Sequence, residues 1–224
     1  KVASVIHDPV TTTDELIPSG ETSAYRSNPY RLAEFTLSRR DPAYVGRAKA
    51  VQAIEAKRQA TASTGQVAAE VQNFFRAAFS QIPDSSGDLQ DLIQNTGVGT
   101  VIFARKPGDG SAREQAASCQ RVLGGDANIA IEYATKRYRS NLINWGMLPF
   151  TISEGEQDNL AVDDYLYIPG IRQAVQSGET SIEATIISNK GIKRLGLKLE
   201  NLSQDDRDII LAGCLINYYR NEKI

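Results

Sequence analysis

The stretch Val98-Gly99-Thr100-Val101-Ile102-Phe103-Ala104, followed by Arg105-Lys106-Pro107-Gly108-Asp109-Gly110 and then by SAREQAASCQRVLGG at 111–125, decides the reading of the fold. A compact, β-branched apolar run of this length reads as a buried strand. Proline and glycine break it, and the residues behind them have helical composition up to a Gly124-Gly125 stop. The order is strand, glycine-rich turn, helix. Ala127–Ile131 is another apolar run and Thr135–Trp145 another helical stretch. This alternation predicts an α/β layer with a largely parallel sheet.

Towards the N-terminus, residues 1–29 carry turn and extended signals and predict a loop-rich segment with one strand at most. Helical spacing of Val45, Ala48, Val51 and Ile54 predicts a helix from Tyr44 to Ala60. A small-polar gap at Thr61–Gly65 precedes a second helix at 66–79. Breakers at Ile82-Pro83-Asp84 and Ser85-Ser86-Gly87 precede a third at 88–97, ended by Asn95 and Gly97. These helices form an insert. Beyond Pro149, the segments TISEG, DDYLYIPGI, TSIEATIIS and IKRLGLKLENL predict an antiparallel sheet or small barrel. Ser203 to Arg220 reads as one closing helix with a capping-box start. The prediction is one α/β domain over residues 1–224, with a mostly parallel sheet layer, flanking helices, a small additional β region and a helical insert at about 37–97.

With 224 residues and 41% hydrophobic content, the chain can bury a substantial core, which argues against disorder. Its 25 basic and 27 acidic residues leave a formal charge of −2, so no overall basic field attracts nucleic acid or acidic membranes. Arg39-Arg40 and Lys136-Arg137-Tyr138-Arg139 read as solvated helix faces, and nucleic acid is not an expected partner. No apolar run nears the roughly 20 residues of a membrane span, and no secretory or transit pattern opens the chain; the expected location is the cytoplasm. The start at Lys1 without methionine suggests a piece of something longer. Cys119 and Cys214 stand far apart, and with His7 as the only histidine they make neither a zinc site nor the thiolate set of an iron–sulfur cluster. Both cysteines read as free thiols in apolar helices, and His7 as structural or exposed.

Three polar clusters can carry chemistry. Glycines in Gly108-Asp109-Gly110-Ser111-Ala112-Arg113-Glu114 allow a sharp turn that exposes the free N–H groups of the next helix. With Arg113 they make a receptor for a carboxylate or phosphate. The plainer alternative is that Ser111 caps the helix and Arg113 forms a surface ion pair. Thr11-Thr12-Thr13-Asp14 is followed twelve residues after Asp14 by Arg26, either as a loop site or as an Asx-turn and a solvated arginine. Arg139 to Pro149, with the only Trp and the only Met, reads as a packing and chain-reversal segment.

In this order, TTTDELIPSG (11–20), YRSN (25–28), GDGSAREQAA (108–117), RVLGG (121–125), RSNLINWGMLPF (139–150) and LAGCLINYYR (211–220) resemble the C-terminal swivelling domain of the aconitase superfamily. The resemblance implies a swivelling β/β/α domain, the C-terminal part of a longer enzyme, inactive alone. It implies a hydro-lyase acting on a hydroxy-di- or tricarboxylic acid. Ser111 falls on the family's catalytic base, Asp14 on a residue that organises the site, and Arg26 and Arg113 on substrate-binding arginines, with Gly110 and Ala112 in the same turn. Ala112 departs from the family's second serine and Gln115 from its histidine. The implied [4Fe–4S] cluster would be bound by preceding domains or by a large subunit, not by this chain. A free-standing small subunit of an isopropylmalate-type dehydratase, or a non-catalytic carboxylate- or RNA-binding relative, is the alternative. A serine base needs a positive, preorganised surrounding, which the turn, the helix N-terminus and Arg113 could give.

Overall fold

A computed structural model describes residues 1–82 and 88–222, so the breaker stretch 83–87 lies outside the described residues. The chain opens with β1 (Val2–Ile6), β2 (Thr11–Thr12) and α1 (Thr13–Leu16), followed by α2 (Pro29–Ala33). The helices α3 (Tyr44–Thr64), α4 (Ala69–Phe79) and α5 (Leu89–Asn95) form the insert. Then come β3 (Thr100–Ala104), β4 (Pro107–Asp109), α6 (Arg113–Val122), β5 (Gly125–Ala130), α7 (Lys136–Asn144) and β6 (Leu148–Thr151). The last part holds β7 (Tyr165–Tyr167), α8 (Ile171–Ser177), β8 (Ser181–Ser188), β9 (Gly191–Lys198), α9 (Gln204–Ala212) and α10 (Leu215–Glu222).

Seven strands share one sheet in the order β1-β3-β5-β6-β9-β8-β7. The first four run parallel, as the strand and helix alternation predicts, and β9, β8 and β7 continue the sheet antiparallel. Its two edges approach each other where Val2 N donates to Asp164 O at 2.9 Å and Asp163 N donates to Val2 O at 2.9 Å. The additional β region is therefore the far half of a nearly closed sheet.

Side chains alternate across this sheet. Val101, Phe103, Ala127, Ile129 and Phe150 point into a core shared with Ile182, Ala184, Ile186, Leu195 and Leu197 of the antiparallel half. Ile102 and Ala104 point the other way, into a second core beneath Ala116, Ala117, Cys119, Tyr138 and Leu142 of α6 and α7. Both faces of β3 are buried, which is why its sequence reads as a continuous apolar run. A third core, with Val51, Val71, Phe75 and Ile93, holds the inserted helices together.

Several boundaries differ from the sequence expectation. The small-polar gap after Ala60 is the last turn of α3, which ends at Gly65 with φ +68. A second short strand, β2, lies in the N-terminal segment, because Thr11 and Thr12 pair in parallel with Pro107 and Asp109. The helix α5 ends at Asn95, with Thr96 rather than Gly97 as its C-cap. Parallel pairing pulls Leu148 and Pro149 into β6, where TISEG alone was expected to be extended. Helix α8 follows Gly170, inside a region expected to be all strand. The closing helix is two, broken at Gly213 with φ +89. A Cβ at Gly146 would lie 2.0 Å from Gly213 O, so the break is where the two backbones touch. The predicted capping box is present, with Ser203 and Asp206 bonded reciprocally. No described helix is long and apolar enough to cross a membrane.

Candidate active site

Chain segments leaving the carboxyl ends of β1 and β3 meet above the sheet, where open α/β folds bind their ligands. Thr11 N donates to Lys106 O at 3.0 Å, and the short β2 and β4 pair in register Thr12 to Asp109. This pairing sets the TTTD loop against the GDGS turn. The contact is close: a Cβ at Gly110, whose φ is +124, would sit 2.3 Å from Thr13 Oγ1. Glycine is required there both for the backbone angle and for the approach.

Ser111 is exposed on this turn and does not cap the helix. Ala112 is the N-cap of α6, with φ −81, ψ 43 and no side-chain cap bond. The first-turn N–H groups thus lack the side-chain acceptor that a capped helix has, and the positive end of the helix dipole faces the turn. Nor is Arg113 a surface ion pair: its Nε is buried and has no hydrogen-bond partner among the described residues. A buried donor without a partner costs about 1–3 kcal/mol. Its neighbour Glu114 accepts from Trp145 Nε1 at 3.1 Å, which ties the start of α6 to the end of α7.

Asp14 is held from two sides. Its Oδ1 accepts from Ser19 N at 3.1 Å, and its Oδ2 accepts from Arg39 Nη1 at 2.6 Å. Arg39 also donates to Glu21 Oε1 at 2.8 Å, so it braces the whole loop. These two carboxylates raise the Arg39 pKa, Glu21 contributing more than Asp14. Ahead of Asp14, Thr12 and Glu15 form a reciprocal capping box. Arg26 is exposed after a 3-10 turn, Ser23–Tyr25, that is anchored by Tyr25 stacking on Phe35 at 5.3 Å. Helix α2 packs on α6, but no described hydrogen bond or ion pair joins Arg26 to the turn. The structure therefore brings the Asp14 loop against Gly110, Ser111, Ala112 and Arg113, while no described contact joins exposed Arg26 to them.

Sequence reasoning missed three supports of this site. Arg39 looked like part of a solvated basic stretch, yet it pairs with Asp14; its neighbour Arg40 pairs with Asp8. Tyr138 sat in another such stretch and is fully buried. Thr135 caps α7 and also donates to Gly108 O at 3.2 Å. Spacing from the glycine turn gives no hint of these, because all three act across the fold.

A cavity of about 490 Å³ lies elsewhere, at the amino ends of β3 and β5 near Phe74, Phe79, Tyr165 and Asp126. None of the six candidate residues lines it. The turn is an open surface. As for a cluster, Cys119 is buried in α6 with its thiol pushed up to about 12 by burial, and Cys214 lies between α9 and α10. No group of three His, Cys, Asp or Glu side chains among the described residues could hold a metal. The residues of this chain do not fit a [4Fe–4S] cluster.

Fold and turn together define an α/β domain with an uncapped helix N-terminus at the carboxyl edge of its sheet. Residues 50–155 match the family model of the aconitase C-terminal domain. A putative mitochondrial aconitate hydratase of Aspergillus fumigatus is 33% identical over 119 residues, 52% of this chain and 15% of that protein. The mitochondrial homocitrate dehydratase of Saccharomyces cerevisiae is 30% identical over 129 residues, 54% of this chain and 16% of that protein. A 3-isopropylmalate dehydratase small subunit of Saccharolobus islandicus is 28% identical over 131 residues, 58% of this chain and 69% of that protein. The chain is similar to C-terminal domains of the aconitase superfamily, and the relatives it matches are named as hydratases and dehydratases. It spans about a sixth of the length of the first two relatives.

Proposed function

We propose that this chain is the swivelling domain of an aconitase-like hydro-lyase, which interconverts a hydroxy-di- or tricarboxylic acid and its dehydrated form. The observation that carries this is the pairing of an uncapped α6 N-terminus, fronted by exposed Ser111, with the buried, unpartnered Nε of Arg113. That combination suits a carboxylate held beside a hydroxyl.

Loss of water from such an acid takes a proton from the carbon next to a carboxylate and hydroxide from the neighbouring carbon. Ser111 takes the proton. Arg113 and the first-turn N–H groups hold the carboxylate, whose negative charge grows as the proton leaves, and a fixed positive surrounding stabilises that charge. Arg26 pairs with a second carboxylate, and Asp14 keeps the loop beside the turn through Ser19 and Arg39. The [4Fe–4S] cluster belongs to preceding domains of the same enzyme or to a large subunit. The whole of residues 1–224 acts as one swivelling unit, closing its open turn over substrate held on that partner.

A separate small subunit is the second reading, favoured by coverage of 69% of the Saccharolobus islandicus protein. The test is dehydratase activity of the complete enzyme, reconstituted with iron and sulfide, on citrate, isocitrate, methylcitrate and isopropylmalate. Turnover that collapses in Ser111→Ala supports the hydro-lyase and names its substrate. Full turnover in the variant overturns the assignment of the base.

A further inference from the structure

Beneath the Ser111 turn lies a closed ring of hydrogen bonds. Gln120 Nε2 donates to Tyr138 Oη at 2.9 Å, Tyr138 Oη donates to Asn128 Oδ1 at 2.8 Å, and Asn128 Nδ2 donates to Gln120 Oε1 at 2.7 Å. The three residues are 1%, 0% and 2% exposed for Gln120, Tyr138 and Asn128 respectively. They come from α6, α7 and β5. Packing alone does not require three polar side chains in an apolar layer, where aliphatic residues of like volume would serve as well or better. What a closed polar ring adds is directionality, because each member has one position that satisfies the others.

The geometry gives that directionality a target. Gln120 lies on α6, whose first turn bears Ser111 and Arg113, so the ring fixes the roll of that helix against the sheet. Tyr138 also presses on the strand leading into the turn: a Cβ at Gly108, φ +95, would lie 2.3 Å from Tyr138 Cγ. One turn earlier, Ala134 N donates to Pro107 O at 3.0 Å and Thr135 Oγ1 donates to Gly108 O at 3.2 Å. Thr135 Oγ1 accepts in turn from Tyr138 N at 3.2 Å. The segment 134–138 thus grips β4 from below while Thr13 closes on Gly110 from the side.

We propose that Gln120, Asn128 and Tyr138, together with Thr135, are positioning residues that set the Gly108–Arg113 turn for the substrate. This rests on the hydro-lyase reading for its functional consequence, but not for its structural one. None of the four touches the reacting atoms; they act through the backbone of the turn.

The experiment compares three forms of the complete enzyme: the parent, Tyr138→Phe, and the triple variant Gln120→Met, Asn128→Leu, Tyr138→Phe. Tyr138→Phe leaves Asn128 Oδ1 without its donor, while Gln120 Nε2 keeps Ala116 O at 2.7 Å; the triple variant removes all three side chains of the ring together. For each form, the melting temperature, kcat on the four hydroxy acids, and the hydrogen-exchange rate of residues 108–113 are measured. The expected result is a triple variant that melts within a few degrees of the parent. Its turn exchanges at least about tenfold faster and its kcat falls by about tenfold to a hundredfold, the scale that small misplacements of catalytic groups produce. A triple variant with parental melting, exchange and kcat overturns the proposal and leaves the ring as packing only. If the triple variant does not fold, Thr135→Val and Thr135→Ser decide: faster turn exchange in Val with parental exchange in Ser supports positioning, and parental exchange in both overturns it. If the parent turns over none of the four acids, the hydro-lyase reading loses its support, and the exchange rates alone still judge the ring.

Discussion

Thr13 and Gly110 touch across two distant segments: any Cβ at 110 would lie 2.3 Å from Thr13 Oγ1, and the backbone there has φ +124. This contact sets the loop bearing Asp14 beside the turn bearing Ser111. Gly110→Ala is expected to cost about 1–3 kcal/mol, the range for an ordinary residue forced into such a conformation. Thr13→Ala in the same chain should recover only the steric part. A double-mutant cycle by chemical denaturation reads the coupling, and strict additivity would refute the contact's importance.

Ser111 makes no cap bond and is exposed, so Ser111→Ala should leave stability within about 0.5 kcal/mol of the parent. In the complete enzyme the same change should lower kcat by about 10²- to 10⁴-fold, the usual worth of an acid–base group. Melting curves and steady-state kinetics on one preparation separate the two.

Arg113 carries a buried Nε with no described partner, which destabilises the ligand-free chain. Arg113→Met should therefore hold or raise the melting temperature while abolishing carboxylate binding. Arg113→Lys should retain charge but lose the planar fork, raising KM by roughly tenfold or more. A clear drop in melting temperature for the methionine variant would argue that the guanidinium is structural.

Arg39 bridges Asp14 and Glu21 at a half-exposed position. Exposed pairs contribute about 0–1 kcal/mol, so Arg39→Ala should change stability little. Its expected effect is on the loop: a severalfold rise in KM with kcat nearly kept, measured on the complete enzyme.

Cys119 is 1% exposed and burial holds its thiol up at about 12, so at pH 8 it carries almost no thiolate. An aromatic disulfide reagent at that pH should label Cys214 in the native protein and reach Cys119 only when denaturant opens the chain. Rapid labelling of both would mean that α6 opens readily.

Local signals carried much of this fold. The β-branched run before Pro107, the Gly-rich turn and the capping box at Ser203 each state their conformation within a few residues, and each is found. The fate of polar residues was less legible. Tyr138 stands between Arg137 and Arg139 and looks like a surface residue, yet its ring is buried because Asn128 and Gln120 satisfy its hydroxyl. The break at Gly213 was missed for the same reason, since it depends on Gly146 lying against it.

Sequence by itself determined the alternation of strand and helix, the two loop motifs and the residue types able to receive a carboxylate, because propensity, turn chemistry and side-chain periodicity act over a few positions. Only the tertiary structure decided that Thr13 closes on Gly110, that Arg39 holds Asp14, that Arg113 keeps a buried donor free, and that the sheet nearly closes through Val2 and Asp164. Those depend on contacts between residues far apart in the chain, and their geometry is fixed by packing and hydrogen-bond satisfaction across the whole fold.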